Sequence, residues 1–235
     1  MHTLLKRAGV VAAVLAGPIL FGPGSRAAAP RPQTASEFQI LFVSTRDDPA
    51  ADPTQDPLRT WRAAEIYAMD EAATSVRRLT RNTDMDVFPA ASPDGRRIAF
   101  ESTRRRTETD PYNTSDLFVM NADGSDPQFL VRGSSATWSP DGRQIAFHAS
   151  ATGTGLPIKR DPGAATSDSD IFVLEGDAGL RSHRAPRNVT NDPTRVDDDP
   201  DWSPDGKTIV FTSHAVTDDP ANSATTEIYT INVTG

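Results

Sequence analysis

The chain has 235 residues, of which 37% are hydrophobic and 24% charged, enough for one large domain or two small ones. It contains no Cys, which excludes disulfides, thiolate-bound zinc or iron–sulfur sites, a thiol nucleophile and a lipidated N-terminal cysteine. The net charge of −8 excludes the basic face that general nucleic-acid binding requires, and 15 Gly and 19 Pro indicate many turns and few long helices.

Residues 1–29 read as an export signal. Lys6 and Arg7 precede the apolar run Ala8 to Phe21, and small residues follow up to Ala27-Ala28-Ala29. This is the three-part layout of a secretory signal peptide, with an apolar run too short to span a bilayer as a stable anchor. Cleavage is expected after Ala29. An uncleaved anchor is the other reading, opposed by Pro18 and Pro23 inside the segment, and Lys6-Arg7 hints at twin-arginine export. The leader carries Lys6, Arg7 and Arg26 and no acid, so its removal makes the mature chain more acidic. No later stretch is long and apolar enough to cross a membrane, and 30–37 reads as a linker.

From residue 38 onward an internal repeat organises the chain. SPDGRRIAFES begins at Ser92, SPDGRQIAFHA at Ser139 and SPDGKTIVFTS at Ser203. An apolar or aromatic approach precedes each one, at Phe88, Trp138 and Trp202. A second pattern follows: SDLFVMNADG from Ser115, SDIFVLEGD from Ser169 and TEIYTINVTG from Thr226. A degenerate copy opens the series with QILFVSTR from Gln39 and AEIYAMD from Ala64. Short pieces ending in LT or its equivalent, RRLT, QFLV and RNVT, close three of the units.

The tetrapeptides Ser92-Pro93-Asp94-Gly95, Ser139-Pro140-Asp141-Gly142 and Ser203-Pro204-Asp205-Gly206 lie between apolar runs. Asp-Gly there predicts a two-residue hairpin turn with both residues at positive φ. Ile98 and Phe100 alternate with Ala99, as do their equivalents Ile145/Phe147 and Ile209/Phe211, so each following strand buries one face with period two. The unit is four antiparallel strands: approach, IxF strand, DIF/EIY strand and xLT strand. The IxF phenylalanines fall at 42, 100, 147 and 211, a spacing that fits propeller blades with insertions. A single blade cannot bury both faces, and stacking on its neighbours supplies the missing contacts.

The xWSPDGxxIAFxS…DIYxMNxDGxxxxxLT pattern resembles the WD40-like propeller repeat of the TolB family, and also the non-catalytic propellers of prolyl-oligopeptidase-like peptidases. The resemblance implies an all-β propeller of about four four-stranded antiparallel blades, near 38–83, 84–132, 133–194 and 195–235. TolB-like propellers usually have six blades, whereas only three approach and three xLT strands occur here. An incomplete ring, an open arc, is therefore expected, the alternative being a strained four-blade ring closed by strands of the first unit. In an arc, Ile228 to Ile231 has an unpaired edge, able to pair with a second copy or another polypeptide.

Chemistry-bearing residues are few. No Gly-x-Ser-x-Gly elbow occurs, and His2, His148, His183 and His214 have no HExxH spacing. His148 and His214 follow IxF strands and are expected as solvated rim residues, and no enzyme is expected. Asp86, Asp197 and Asp199 stand just before or within approach strands and could offer a hard cation such as calcium an oxygen-rich site; turn-capping is the alternative role. No other cofactor is expected. The loops after the IxF strands contain Asp48-Pro49, Asp110-Pro111, Asp161-Pro162 and Asp219-Pro220 and should project from one face. That face is the expected recognition surface, with Trp61, Arg104, Arg105, Tyr112 and Arg160 as candidate contacts. Trp138 and Trp202 are expected in the core. The resemblance implies an exported, periplasmic or extracellular protein-binding scaffold. The alternatives are a ligand- or carbohydrate-sensing propeller, or the detached substrate-gating propeller of a peptidase.

Overall fold

The computed structural model describes residues 40–47, 64–107, 116–150, 169–176, 185–215 and 225–233. The expected leader and linker, Trp61, Tyr112, Arg160, His183 and the four Asp-Pro pairs named above lie outside them. Every regular element among the described residues is a strand. The first blade holds β1 (Ile40–Ser44), β2 (Glu65–Met69) and β3 (Val76–Arg78), and the second holds β4 (Asp86–Ala91), β5 (Arg97–Ser102), β6 (Asp116–Asn121) and β7 (Gln128–Arg132). The third holds β8 (Ser134–Trp138), β9 (Gln144–Ser150), β10 (Ser169–Glu175) and β11 (Arg187–Asn188), and the fourth β12 (Arg195–Trp202), β13 (Thr208–Ala215) and β14 (Glu227–Asn232). Within blades all pairing is antiparallel. One parallel bridge, Ser169 with Val196, joins the last two blades into a seven-stranded sheet.

The SPDG turn differs from expectation. Only the glycines have positive φ, 66° at Gly95 and 70° at Gly142 and Gly206, while the aspartates do not. Proline's fixed φ suits the second position of a type I turn, which closes with the Gly95 N–H donating to the Ser92 carbonyl at 2.9 Å. The Ser92 N–H then donates to the Arg97 carbonyl at 2.9 Å, so the hairpin loop spans four residues, not two. Inside it the Ser92 hydroxyl donates to Asp94 Oδ1 at 2.6 Å and accepts from the Arg97 N–H at 3.0 Å. Ser139 and Ser203 repeat this pattern with Asp141 and Asp205. Serine hydrogen bonds, from Ser139 and Ser203, hold Asp141 and Asp205 below the usual carboxylate range. At Asp94 burial acts upward, but Ser92 and the Arg96 N–H outweigh it.

Each IxF phenylalanine lies directly across the ladder from the DIF/EIY aromatic. The pairs Phe42–Tyr67, Phe100–Phe118, Phe147–Phe172 and Phe211–Tyr229 stack with centroids 5.4, 5.7, 5.7 and 6.0 Å apart, a favoured cross-strand contact. Between blades the two faces of the period-two pattern meet. Ile66, Ala68 and Leu79 of the first blade pack on Ile98, Phe100 and Met120 of the second. Ala99, Leu117 and Val119 meet Trp138, Ile145 and Phe147. Ile171 and Val173 meet Trp202, Ile209 and Phe211. Burying a side chain as large as Phe100 or Phe147 contributes about 1.5–3 kcal/mol, so these three seams supply the cohesion a lone blade lacks. Trp138 and Trp202 are core residues, as expected.

The ring is open. β1 and β14 form no ladder with each other, the first blade has no approach strand, and the fourth has no xLT strand among the described residues. The approach strands β4, β8 and β12 lie beside one another. Each bends at a bulge where a non-glycine residue takes a left-handed φ: 50° at Phe88, 53° at Ser135 and 51° at Asp199.

Candidate functional site

The polar groups gather at the strand ends of each seam, and their order follows from the repeat. Asp86 faces Ser102 across the second blade, and Asp197 faces Ser213 across the fourth. Asp86 is fully buried, with Arg104 Nη2 at 3.0 and 2.9 Å from its two oxygens and Asn82 Nδ2 donating at 2.6 Å. Arg104 also donates from Nε to Ser102 Oγ at 2.9 Å and lies over the rings of Phe100 and Phe118 at 5.2 and 4.8 Å. Arg46 repeats the ring and serine contacts over Phe42 and Tyr67. In the third blade Gly133 and Ala149 replace the acid and the serine. A Cβ at Gly133 would fall 2.6 Å from the Phe147 ring, so no side chain fits there.

The fourth blade keeps Asp197 and Ser213 but has Ala215 where the second has Arg104. Its guanidinium comes instead from Arg195, which faces Ala215 across the ladder, donates from Nε to Ser213 at 2.6 Å and lies 4.7 Å over Tyr229. Arg195 reaches the serine rather than the acid. Burial raises Asp197 above the usual carboxylate range; the Ser213 and Thr190 hydroxyls oppose this and the nearby Asp170 adds to it.

A second set of bonds ties each blade to the next. The Ser135 N–H, at the β8 bulge, donates to Glu101 Oε1 at 2.7 Å, and Ser134 Oγ donates to the same oxygen at 2.6 Å. One blade on, the Asp199 N–H donates to His148 Nδ1 at 3.2 Å. His148 is therefore a buried seam residue, 3% exposed, rather than the solvated rim residue expected. The signal was present: Glu101 and His148 follow the IxF phenylalanines and share the face of Ala99 and Ala146, the face each blade turns to its successor. His214 is half-buried inside β13.

The acid that opens each DIF/EIY strand was also missed by sequence reading, although it recurs in all four units. Glu65 accepts from Arg78 Nη2 and the Asn82 N–H, both at 2.7 Å. Asp116 accepts from Arg132 Nε at 3.0 Å, with Arg105 Nε at 3.5 Å. Asp170 accepts from Asn188 Nδ2 at 2.7 Å and Thr190 Oγ1 at 3.0 Å. All three are buried and clamp their xLT strand, while Glu227, the fourth, is exposed.

Of the candidate recognition residues, Arg104 is committed to Asp86, and Arg105 lies 3.8 Å over the Phe129 ring beside Asp116. Asp86 and Asp197 sit in separate blades with separate partners, and Asp199 Oδ1 accepts from Ser135 Oγ at 2.9 Å. Among the described residues no three His, Asp or Glu side chains gather where a metal could be held. Among the exposed large hydrophobic residues, which include Phe88 at 51%, the most exposed is Ile228 at 77%, on the edge of β14 beside Tyr229 at 38%.

Comparison with known proteins agrees with the fold. No family profile matches the chain. It is 29% identical over 135 residues to the Tol-Pal system protein TolB of Bordetella pertussis, covering 43% of this chain and 30% of that protein. It is also 29% identical over 128 residues to the uncharacterized peptidase YuxL of Bacillus subtilis, covering 53% of this chain and 16% of that one. The solved structure of a putative TolB from Agrobacterium tumefaciens superposes with a TM-score of 0.54 at 22% identity, over 72% of this chain and 53% of that chain. Repeat and fold together define an all-β propeller-type array of blades whose ring is not closed among the described residues. Its units are similar to those of TolB, and the chain spans less than a third of the length of the curated relatives it matches.

Proposed function

We propose that this protein is an exported, non-catalytic propeller scaffold that binds other proteins in the cell envelope or extracellular space. One observation carries the reading: among the described residues the outer edge of β14 pairs with no strand and holds Ile228 and Tyr229 in solvent, a feature suited to strand addition. The match to a Tol-Pal system protein supports an envelope setting, and the signal-like residues 1–29 support export. No helix among the described residues is long and apolar enough to cross a membrane. Affinity capture of the chain from its own envelope fraction, with mass spectrometry of the eluate, is expected to enrich specific proteins. The N-terminus of the recovered chain is expected at Pro30. Enrichment no greater than on a blank matrix overturns the reading.

The match to YuxL favours one other reading, a propeller that gates a peptidase supplied elsewhere. It predicts that the captured partner is a hydrolase, and that peptide hydrolysis appears only when the two are combined.

A further inference from the structure

Two seams are latched at the same place by different chemistry. The bulge residues Ser135 and Asp199 both hold a left-handed φ, 53° and 51°. Each turns its N–H to the residue that follows the IxF phenylalanine of the preceding blade. After Phe100 that residue is Glu101, whose Oε1 accepts the Ser135 N–H at 2.7 Å. After Phe147 it is His148, whose Nδ1 accepts the Asp199 N–H at 3.2 Å. A carboxylate has only oxygens to offer and stays an acceptor. An imidazole accepts at Nδ1 only while neutral, with its proton on Nε2, and a second proton makes both nitrogens donors.

A protonated ring has another acceptor at hand. Asp198 Oδ1 lies 3.5 Å from His148 Nδ1, and both residues are buried, so water screens little of the attraction between them. The other acids on the strands around the ring are engaged elsewhere. On β12, Asp197 bonds Ser213, Asp199 bonds Ser135 and Asp201 bonds Thr137, while Arg195, the only cation of that strand, is on Ser213. On β10, Asp170 accepts from Asn188 and Glu175 from Gln144. The β8 strand carries no charged residue, and Glu101 of β5 accepts from the Ser134 hydroxyl.

We propose that the seam between the third and fourth blades carries a proton-operated latch: on gaining a proton at Nδ1, His148 lets go of the Asp199 N–H and donates to the Asp198 carboxylate instead. The proton comes from water, and no bond between heavy atoms is made or broken. Both states bond His148 to β12, so the blades stay together and the change falls on the bulge. With its N–H released, Asp199 loses the contact that ties its left-handed backbone to the third blade, a conformation a non-glycine residue holds at a cost. Acid thereby loosens β12 at one point, while the Glu101 latch on Ser135 stays shut. The inference stands apart from the protein-binding reading above.

The test is NMR of the full chain from about pH 8 to about pH 5, the range in which histidines titrate, with circular dichroism confirming the fold at each pH. The His148 ring signals and the Asp199 amide are expected to change with one midpoint. The Asp199 protection factor, corrected for the intrinsic exchange rate, is expected to fall by about tenfold, as loss of one hydrogen bond implies, while that of Ser135 holds. His148→Gln supplies an acceptor that gains no proton in this range and should leave the Asp199 amide flat. Asp198→Asn takes the charge from the second acceptor and should move the midpoint to lower pH. The latch is overturned by a His148 ring that does not titrate, or by an Asp199 amide that stays protected while it does. A change that survives His148→Gln, or a midpoint unmoved by Asp198→Asn, overturns it as well. So does loss of protection at Ser169 and Val196 together with Asp199, since the seam would then be opening as a whole instead of changing partner.

Discussion

Arg195 lies directly across the β12–β13 ladder from Ala215, the residue that stands where the second blade has Arg104. The guanidinium over the aromatic pair has thus moved from one strand to its partner, keeping the serine contact and giving up the hold of one nitrogen on both carboxylate oxygens. The two seams should respond differently to charge.

Removing Arg104 leaves Asp86 buried without its cation, and breaking one side of a buried pair costs about 3–5 kcal/mol. Arg104→Ala is expected to lower stability by about that amount in denaturant unfolding. Arg104→Gln combined with Asp86→Asn should recover part of it. Arg195→Ala, which strands no carboxylate, should cost distinctly less.

Asp197 is raised in the folded chain by burial, so the folded state keeps a proton that the unfolded chain releases. Its contribution is present at acid pH and is lost as pH rises through the folded value. Asp197→Asn is therefore expected to raise the melting temperature at about pH 8 and change it little at about pH 4. A variant no more stable at the higher pH would show that Ser213 and Thr190 fully compensate the charge.

The hairpin aspartates act in the opposite direction. Asp94, Asp141 and Asp205 are lowered, so their support is present above the ordinary carboxylate range and fades as pH falls through the folded values. Ser139→Ala strips Asp141 of its donor and the Gln144 N–H of its acceptor. It should cost about 1 kcal/mol and flatten the acid limb of the stability curve.

Equivalent isoleucines should behave as opposites. Ile171→Ala opens the third seam and should cost about 2–5 kcal/mol. Ile228→Lys, on the exposed edge, should leave the melting temperature within about 1 °C while lowering concentration-dependent association in sedimentation. A large loss of stability at Ile228 would mean that the edge is already covered.

The blades were legible because stacked rings and alternating apolar residues leave a period-two record, and Ser-Pro-Asp-Gly marks each hairpin. The turn type was misread because Asp-Gly was weighed without the proline before it, which fixes a type I start. His148 was misread because a histidine after a strand resembles a rim residue; only its phase with Ala146 reveals that it faces the next blade. The shift of the arginine from the Ala215 position to Arg195 leaves no pattern within one repeat, since it is a relation between two strands. Trp61, Tyr112 and Arg160 fall outside the described residues, and their part in recognition remains a proposal tested by substitution in the capture experiment.

The parallel bridge of Ser169 with Val196 ties the third and fourth blades through their backbones, and the Asp86 N–H donating to the Ala64 carbonyl at 2.8 Å ties the first and second. Under tension, or during thermal fraying, the third and fourth blades should come apart as one mechanical block. Amide exchange should therefore show the two sharing a single rate of opening.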